Sequence, residues 1–197
     1  MNRTANVSAL GYAAFALTLW MNNMIPAGWF NPDEGGGIAL ALAVVLGGCV
    51  MAIAGVVQCL RGRTLDAVVF LAFSAYWWVA VLASQHLLNE TPFRPSPGFL
   101  GWYYIVWAFL AFCIWLAACK DGVARMLFTL GLTVSLLAFA LNGWTRIGAL
   151  AELGGYLGLV TAVVGIYLAA AEIINEIHGH SVLPLGETPP DEKSGGF

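Results

Sequence analysis

The chain has 197 residues, 60% of them hydrophobic and only 10% charged, and its mean hydropathy of +0.80 lies outside the range of soluble domains. Its net charge of -3 comes without a basic tract, which excludes nucleic acid as a partner. Six long apolar stretches consume most of the residues and leave no room for a separate soluble catalytic domain, so function must lie within a membrane.

A hydrocarbon core about 30 Å thick needs roughly 20 apolar residues in helical form. Stretches near that length fall at 8–30, 37–60, 65–87, 100–119, 125–143 and 154–177. All are predicted to be helices, because backbone amides in lipid must bond within their own segment and none of the stretches alternates as a barrel strand would. Residues 1–7 form a short N-terminus. The first span is too long for a signal peptide and is read as retained; Pro26 near its end marks a kink or a helix end. In the second span Gly47, Gly48, Ala52 and Gly55, and in the sixth Gly154, Gly158, Ala162, Gly165 and Ala169, recur every three or four residues. Such spacing lets helix backbones approach, within a subunit or between subunits. The connection 88–99 carries Pro92, Pro95 and Pro97 and reads as an external loop. Residues 178–197 read as a tail, disordered from Pro184 onward.

Orientation follows from the basic residues. Arg3, Arg61, Arg63, Lys120, Arg125 and Lys193 fall on one side and Arg94 and Arg146 on the other, which puts both termini in the cytoplasm. Trp29, Trp102, Tyr103, Trp144 and Tyr156 then gather at the outer span ends, where amphipathic rings prefer to sit.

No Ser/His/Asp set, HExxH, mid-depth carboxylate pair or phosphate-cradling glycine loop is present, so no enzyme and no cofactor is expected. His178 and His180 read as a solvated inner end and His86 as an interfacial residue, with no metal site. Cys49, Cys59, Cys113 and Cys119 read as small buried hydrophobes. Asp66 and Glu172 lie at the inner edge, placed to cap helices or to bind Arg61, Arg63 or Arg125. No Lys or Arg stands at mid-depth, and a bare central charge costs about 2.5–3.5 kcal/mol, so a protonatable or weakly hydrated solute fits better than a strong ion. Asn22, Asn23, Gln85 and Asn142 occupy the outer thirds of spans that run outward. They are placed either to line an external vestibule or to hydrogen-bond between helices.

The stretch YLAAAEIINEIHGHSVLPLGE at 167–187 resembles the C-terminal signature of the acetate uptake transporters, also called succinate/acetate permeases. That pattern is a Tyr-Leu, then Glu, Asn-Glu, Gly and Val-Leu-Pro-hydrophobic-Gly. The likeness continues in Leu10-Gly11 and Phe15, Asn23 and Gly28, Gly47-Gly48 and Gly55, Phe99-Leu100-Gly101 with Tyr103, Trp107 and Lys120, and Leu132-Thr133. It implies an all-α, six-transmembrane-helix bundle assembled as a hexamer in the inner membrane, each subunit with its own pore for acetate and related small carboxylates, succinate among them. Protons are candidate co-substrates.

The resemblance also implies a hydrophobic constriction, carried here by Phe15, Phe73 and Leu132. These lie 7, 8 and 7 residues beyond Ser8, Leu65 and Arg125, about 10–12 Å into three parallel spans, a depth at which they can form one ring. The chain departs from the family pattern where Asn-Pro-Ala-Pro-Leu-Gly is replaced by Asn6-Val7-Ser8-Ala9-Leu10-Gly11, where the constriction Tyr is Phe73, and where a Gln and a later Glu of the second span are Met51 and Gln58. These changes bear on substrate preference and proton coupling. Passage of another small solute such as ammonia or urea, and a structural membrane protein with a blocked pore, are the competing readings.

Overall fold

The structure, a computed structural model, describes residues 6–84 and 95–186. The described residues wind into six helices: α1 Val7–Asn23, α2 Pro32–Leu60, α3 Thr64–Ser84, α4 Pro97–Ala118, α5 Val123–Thr145 and α6 Gly148–His178. Local chemistry sets their ends. The Asn6 side chain accepts the Ser8 N–H at the start of α1, and Ser96 followed by Pro97 opens α4. Glu34 reaches back to the Asn31 N–H at 2.8 Å to open α2. Arg146 and Gly179, both left-handed, close α5 and α6.

Five helices are long and apolar enough to cross a membrane; α1, with 17 residues and two asparagines at its end, is not among them. The predicted first span to residue 30 therefore needs correcting. Proline disfavours helix at the residue before it and lacks an N–H, so Pro26 ends the helix instead of kinking it, and the chain goes on as turns to Phe30. Conversely α6 starts at Gly148, six residues before the predicted 154, and α2 starts at Pro32. Gln85, His86 and Arg94, like Arg3 and Lys193, lie outside the described residues.

Within α2, Ala43–Val50 winds as a π-helix. Gly47 and Gly48 in this widened stretch let Trp77 and Trp78 of α3 close on the backbone, and Ser74 Oγ donates to the Gly48 carbonyl at 2.8 Å. Gly55 faces Leu71, Gly154 faces Phe139, Gly158 faces Asn23, and Gly165 meets Phe128 and Ala16. Both small-residue stripes thus serve packing inside the subunit. Around the bundle α5 packs between α4 and α6, α6 against α1, and α2 against α3 and α1. α3 and α4 touch only lightly, which leaves a gap.

The four cysteines are free and all exposed on the outer faces of α2 and α4, not buried as expected. A lipid-facing position is as apolar as a core one, so hydropathy does not separate them. The segment through Gly186 is also not a loose tail: Asn175 binds Val182 and Leu183, Tyr167 donates to the Pro184 carbonyl at 2.7 Å, and the first N–H groups of α5, on Val123 and Ala124, donate to Gly186 and Leu185. Residues 187–197 lie outside the described residues.

Gly47→Ala should place a Cβ 2.7 Å from the rigid Trp77 indole, and overpacking of this kind costs about 1–3 kcal/mol. A lower thermal unfolding midpoint in detergent is expected, with Gly35→Ala, which meets nothing, as the silent comparison.

Candidate functional site

A cavity of about 660 Å³ fills the gap between the outer halves of α1, α3, α4 and α5. Phe15, Phe73 and Leu132 line it and are the innermost of its lining residues on their respective helices, so they form its floor. All three are buried, with the Phe15 and Phe73 ring centroids 5.0 Å apart. The structure therefore brings the three sequence-predicted constriction residues together.

One turn further inward the same three helices present Tyr12, Phe70 and Phe128, each fully buried. Tyr12 meets Phe70 edge-on at 5.0 Å and Phe128 at 5.5 Å, and Phe128 reaches up to Phe15 at 5.2 Å. This second dry layer was missed from sequence. Its signal is the repeated step of three or four residues: 12 and 15, 70 and 73, 128 and 132.

Two turns inward the character reverses. Ser8, Asp66 and Arg125 each stand seven residues before a constriction residue, about 10 Å along its helix. Asp66, 2% exposed, accepts hydrogen bonds from the Tyr12 hydroxyl at 3.0 Å, from the Ser8 hydroxyl and from Gln58 Nε2 at 3.3 Å. Arg63 lies 3.4 Å from it. Arg125, 3% exposed, pairs with Glu172, with Asp121 at 3.0 Å and with Asp66 at 3.9 Å. Glu172, 8% exposed, also accepts from Asn6 Nδ2. The expected pairing of Asp66 and Glu172 with Arg63 and Arg125 is met, while Arg61 takes no ion pair among the described residues.

The polar groups of the cavity sort differently from expectation. Asn22, Asn23 and Asn142 all line it, as a vestibule requires. Yet both N–H groups of Asn22 go to the Thr18 and Ala39 carbonyls at 3.0 and 2.9 Å, and Asn23 donates to Leu19 at 2.8 Å. Asn22 thus lines the cavity and also bonds between helices, because the crossing of α2 brings the Ala39 carbonyl within reach. Asn142 makes no side-chain hydrogen bond among the described residues. Gln85 lies outside them.

Three further lining residues escaped the sequence reading. Tyr76, one turn outward of Phe73, supplies a phenol on the same helix, and Tyr104 supplies one from α4. Arg146, one turn beyond Asn142 on α5, puts a cation at the outer mouth, and the four-residue step to Asn142 is the clue that could have found it. Elsewhere, the rings of His178 and His180 are 6.1 Å apart and each Nδ1 faces a backbone carbonyl; no metal-holding group occurs among the described residues.

A cation at the mouth of an apolar funnel raises the local concentration of anions, and salt screens the effect. Arg146→Gln should lower the initial uptake of an anionic solute several-fold at low ionic strength, with the difference from wild type closing as salt is raised in vesicle uptake assays.

Over residues 1–189 the chain matches the GPR1/FUN34/yaaH family. It is 29% identical over 189 residues to the succinate-acetate/proton symporter SatP of Escherichia coli K12, covering 94% of this chain and 97% of that protein. It superposes on the structure of the bacterial acetate channel SatP with a TM-score of 0.87 and 28% identity, over 93% of this chain and all of that one. A more distant relative, ammonia transport outward protein 2 of Saccharomyces cerevisiae, is 23% identical over 206 residues, 98% of this chain and 70% of that protein.

Proposed function

This chain belongs to the GPR1/FUN34/yaaH family, and we propose that it is a transporter or channel for acetate and similar short-chain carboxylates, succinate included. The observation that carries the reading is the cavity itself. It has a cation at its mouth, phenols and an amide in its wall, and a floor of Phe15, Phe73 and Leu132 that only a small solute can cross.

No charged residue lies on α1 between Val7 and Asn23, or on α5 between Arg125 and Arg146. A bare carboxylate at mid-depth would therefore lack a counter-charge, so the solute crosses the two dry layers as the neutral acid. Acetic acid, with a pKa near the roughly 4 to 4.5 of Asp and Glu side chains, reaches that form readily as external pH falls. Tyr76 offers a phenol donor that partly replaces the hydroxyl missing at Phe73.

The working unit is a homohexamer in the inner membrane. The uncovered apolar faces of α2 and α4, such as Trp102, Val106 and Phe109, meet lipid or a neighbouring subunit. Both termini lie in the cytoplasm, on the side of Arg61, Arg63 and Lys120. Residues 8–177 make the membrane domain, flanked by the N-terminus 1–7 and the tail 178–197.

Proteoliposomes should take up labelled acetate and exclude mannitol after diffusion through protein-free vesicles is subtracted, and the rate should rise as external pH falls. A protein-dependent flux that ignores pH would replace the neutral-acid route with an anion channel. The yeast relative's name keeps ammonia passage as the second reading, and ammonia flux without acetate flux would favour it. Within the first reading, Leu132→Ala should widen the floor and admit lactate. Unchanged selectivity in an assembled hexamer counts against the ring. Phe73→Tyr should raise apparent acetate affinity by adding a donor at the floor, which a competition assay would read.

A further inference from the structure

We propose that Asp66 is the proton-accepting carboxyl of this path. The inference rests on the carboxylate-transport reading above. It starts from a charge count: the buried groups at the inner end are one cation, Arg125, and two acids, Asp66 and Glu172. The remaining charges that face the cluster are more exposed: Arg63 beside Asp66 and Asp121 beside Arg125, with Glu176 accepting from the Asn6 backbone N–H. α1 contributes Tyr12, and α2 contributes only the neutral Gln58. A buried set with more acids than cations is relieved by taking up one proton.

Geometry selects Asp66 as the acceptor. It lies two turns below Phe73 on the same helix, beneath the Tyr12, Phe70 and Phe128 layer, so a solute leaving the dry layers meets it first. Glu172 is bound by Arg125 and Asn6 and projects from α6, which carries none of the residues of the two layers. The neighbour of Asp66 carries the second observation. Gln58 is fully buried, and its Oε1 has no hydrogen-bond partner among the described residues, although its Nε2 serves both Ser8 and Asp66. Such an orphaned acceptor is costly unless another state of the site uses it. A protonated Asp66 supplies that use: rotation of the Gln58 amide turns Oε1 toward the new O–H, while the ionised Asp66 accepts from Nε2.

Gln58 Nε2 lies 3.3 Å from the Asp66 carboxylate, so a carboxyl placed at position 58 of α2 would stand at the same spot. The step then balances simply. Acetic acid emerging from the dry layers gives its proton to the Asp66 carboxylate; acetate leaves toward the cytoplasm, and Asp66 returns the proton to cytoplasmic water before the next cycle. One acetate and one proton enter together.

The test uses the full chain in proteoliposomes, with protein-free diffusion subtracted. Uptake of labelled acetate is measured with an inward proton gradient and, separately, as tracer exchange with equal acetate and pH on both sides. Wild type should show gradient-stimulated uptake over exchange, Asp66→Asn should lose the stimulation while exchange remains measurable, and the double variant Gln58→Glu/Asp66→Asn should regain it. Stimulation of Asp66→Asn as strong as that of wild type overturns the proposal. If Asp66→Asn does not assemble, the double variant decides alone, since it keeps one acid at the site: stimulated uptake supports the proposal, and exchange without stimulation overturns it. A wild type that moves acetate in neither mode takes the transport reading down along with this one, whereas failure confined to the variants leaves that reading standing.

Discussion

A guanidinium removed from water must be matched by its own protein, and at Arg125 that requirement organises the inner end of the bundle. The acids that answer it come from α3, from α6 and from the turn before α5. The two buried acids are held in turn by polar neighbours: Asn6 on Glu172, and Ser8, Tyr12 and Gln58 on Asp66. The C-terminal strap belongs to the same arrangement. Leu185 and Gly186 satisfy the first amides of α5, the turn that presents Arg125, and Tyr167 and Asn175 hold the strap in place. Removing one partner of such a buried pair typically costs 3–5 kcal/mol, so residues far apart in the chain are tied to one charge.

Above this polar base the three helices α1, α3 and α5 repeat one programme. They run in the same direction, so equal steps along each reach equal depths, and a seven-residue interval from polar group to constriction on all three yields stacked layers instead of scattered contacts. Even helices frame these layers; the glycines of α2 and α6 allow the framing helices close enough to hold Trp77 and Phe128 in position. The funnel lies between the outer halves of α1, α3, α4 and α5.

Much of this was legible before any coordinates. Helix count, span order and the inner pairing of Asp66 and Glu172 with arginines follow from apolar length, helix rise and charge position, while the floor residues come from the family resemblance, with helix rise matching their depths. What escaped has specific causes. Apolar length cannot tell the turns at 24–30 from helix. Lipid and protein core are equally apolar, which hid the exposure of the cysteines. Asn22 looked available because nothing local reveals that α2 offers it the Ala39 carbonyl. The strap was read as loose because its partners Asn175 and Tyr167 lie on α6 and the amides it caps lie on α5. Arg146 marks orientation in the sequence, and its place one turn beyond Asn142 shows only in the fold that it lines the cavity.

The two dry layers also decide how the membrane voltage acts. In the proposed path they separate the polar base from the outer cavity, so most of the electrical field would fall across them, and a potential of 100 mV acts on one elementary charge with about 2.3 kcal/mol. An anion entering a cell that is negative inside climbs that field. A cargo that crosses as acid, its proton beside it, moves no net charge and is blind to the voltage. Accumulation is then set by the difference in acidity alone, and a reversal of that difference turns the same route into an exit.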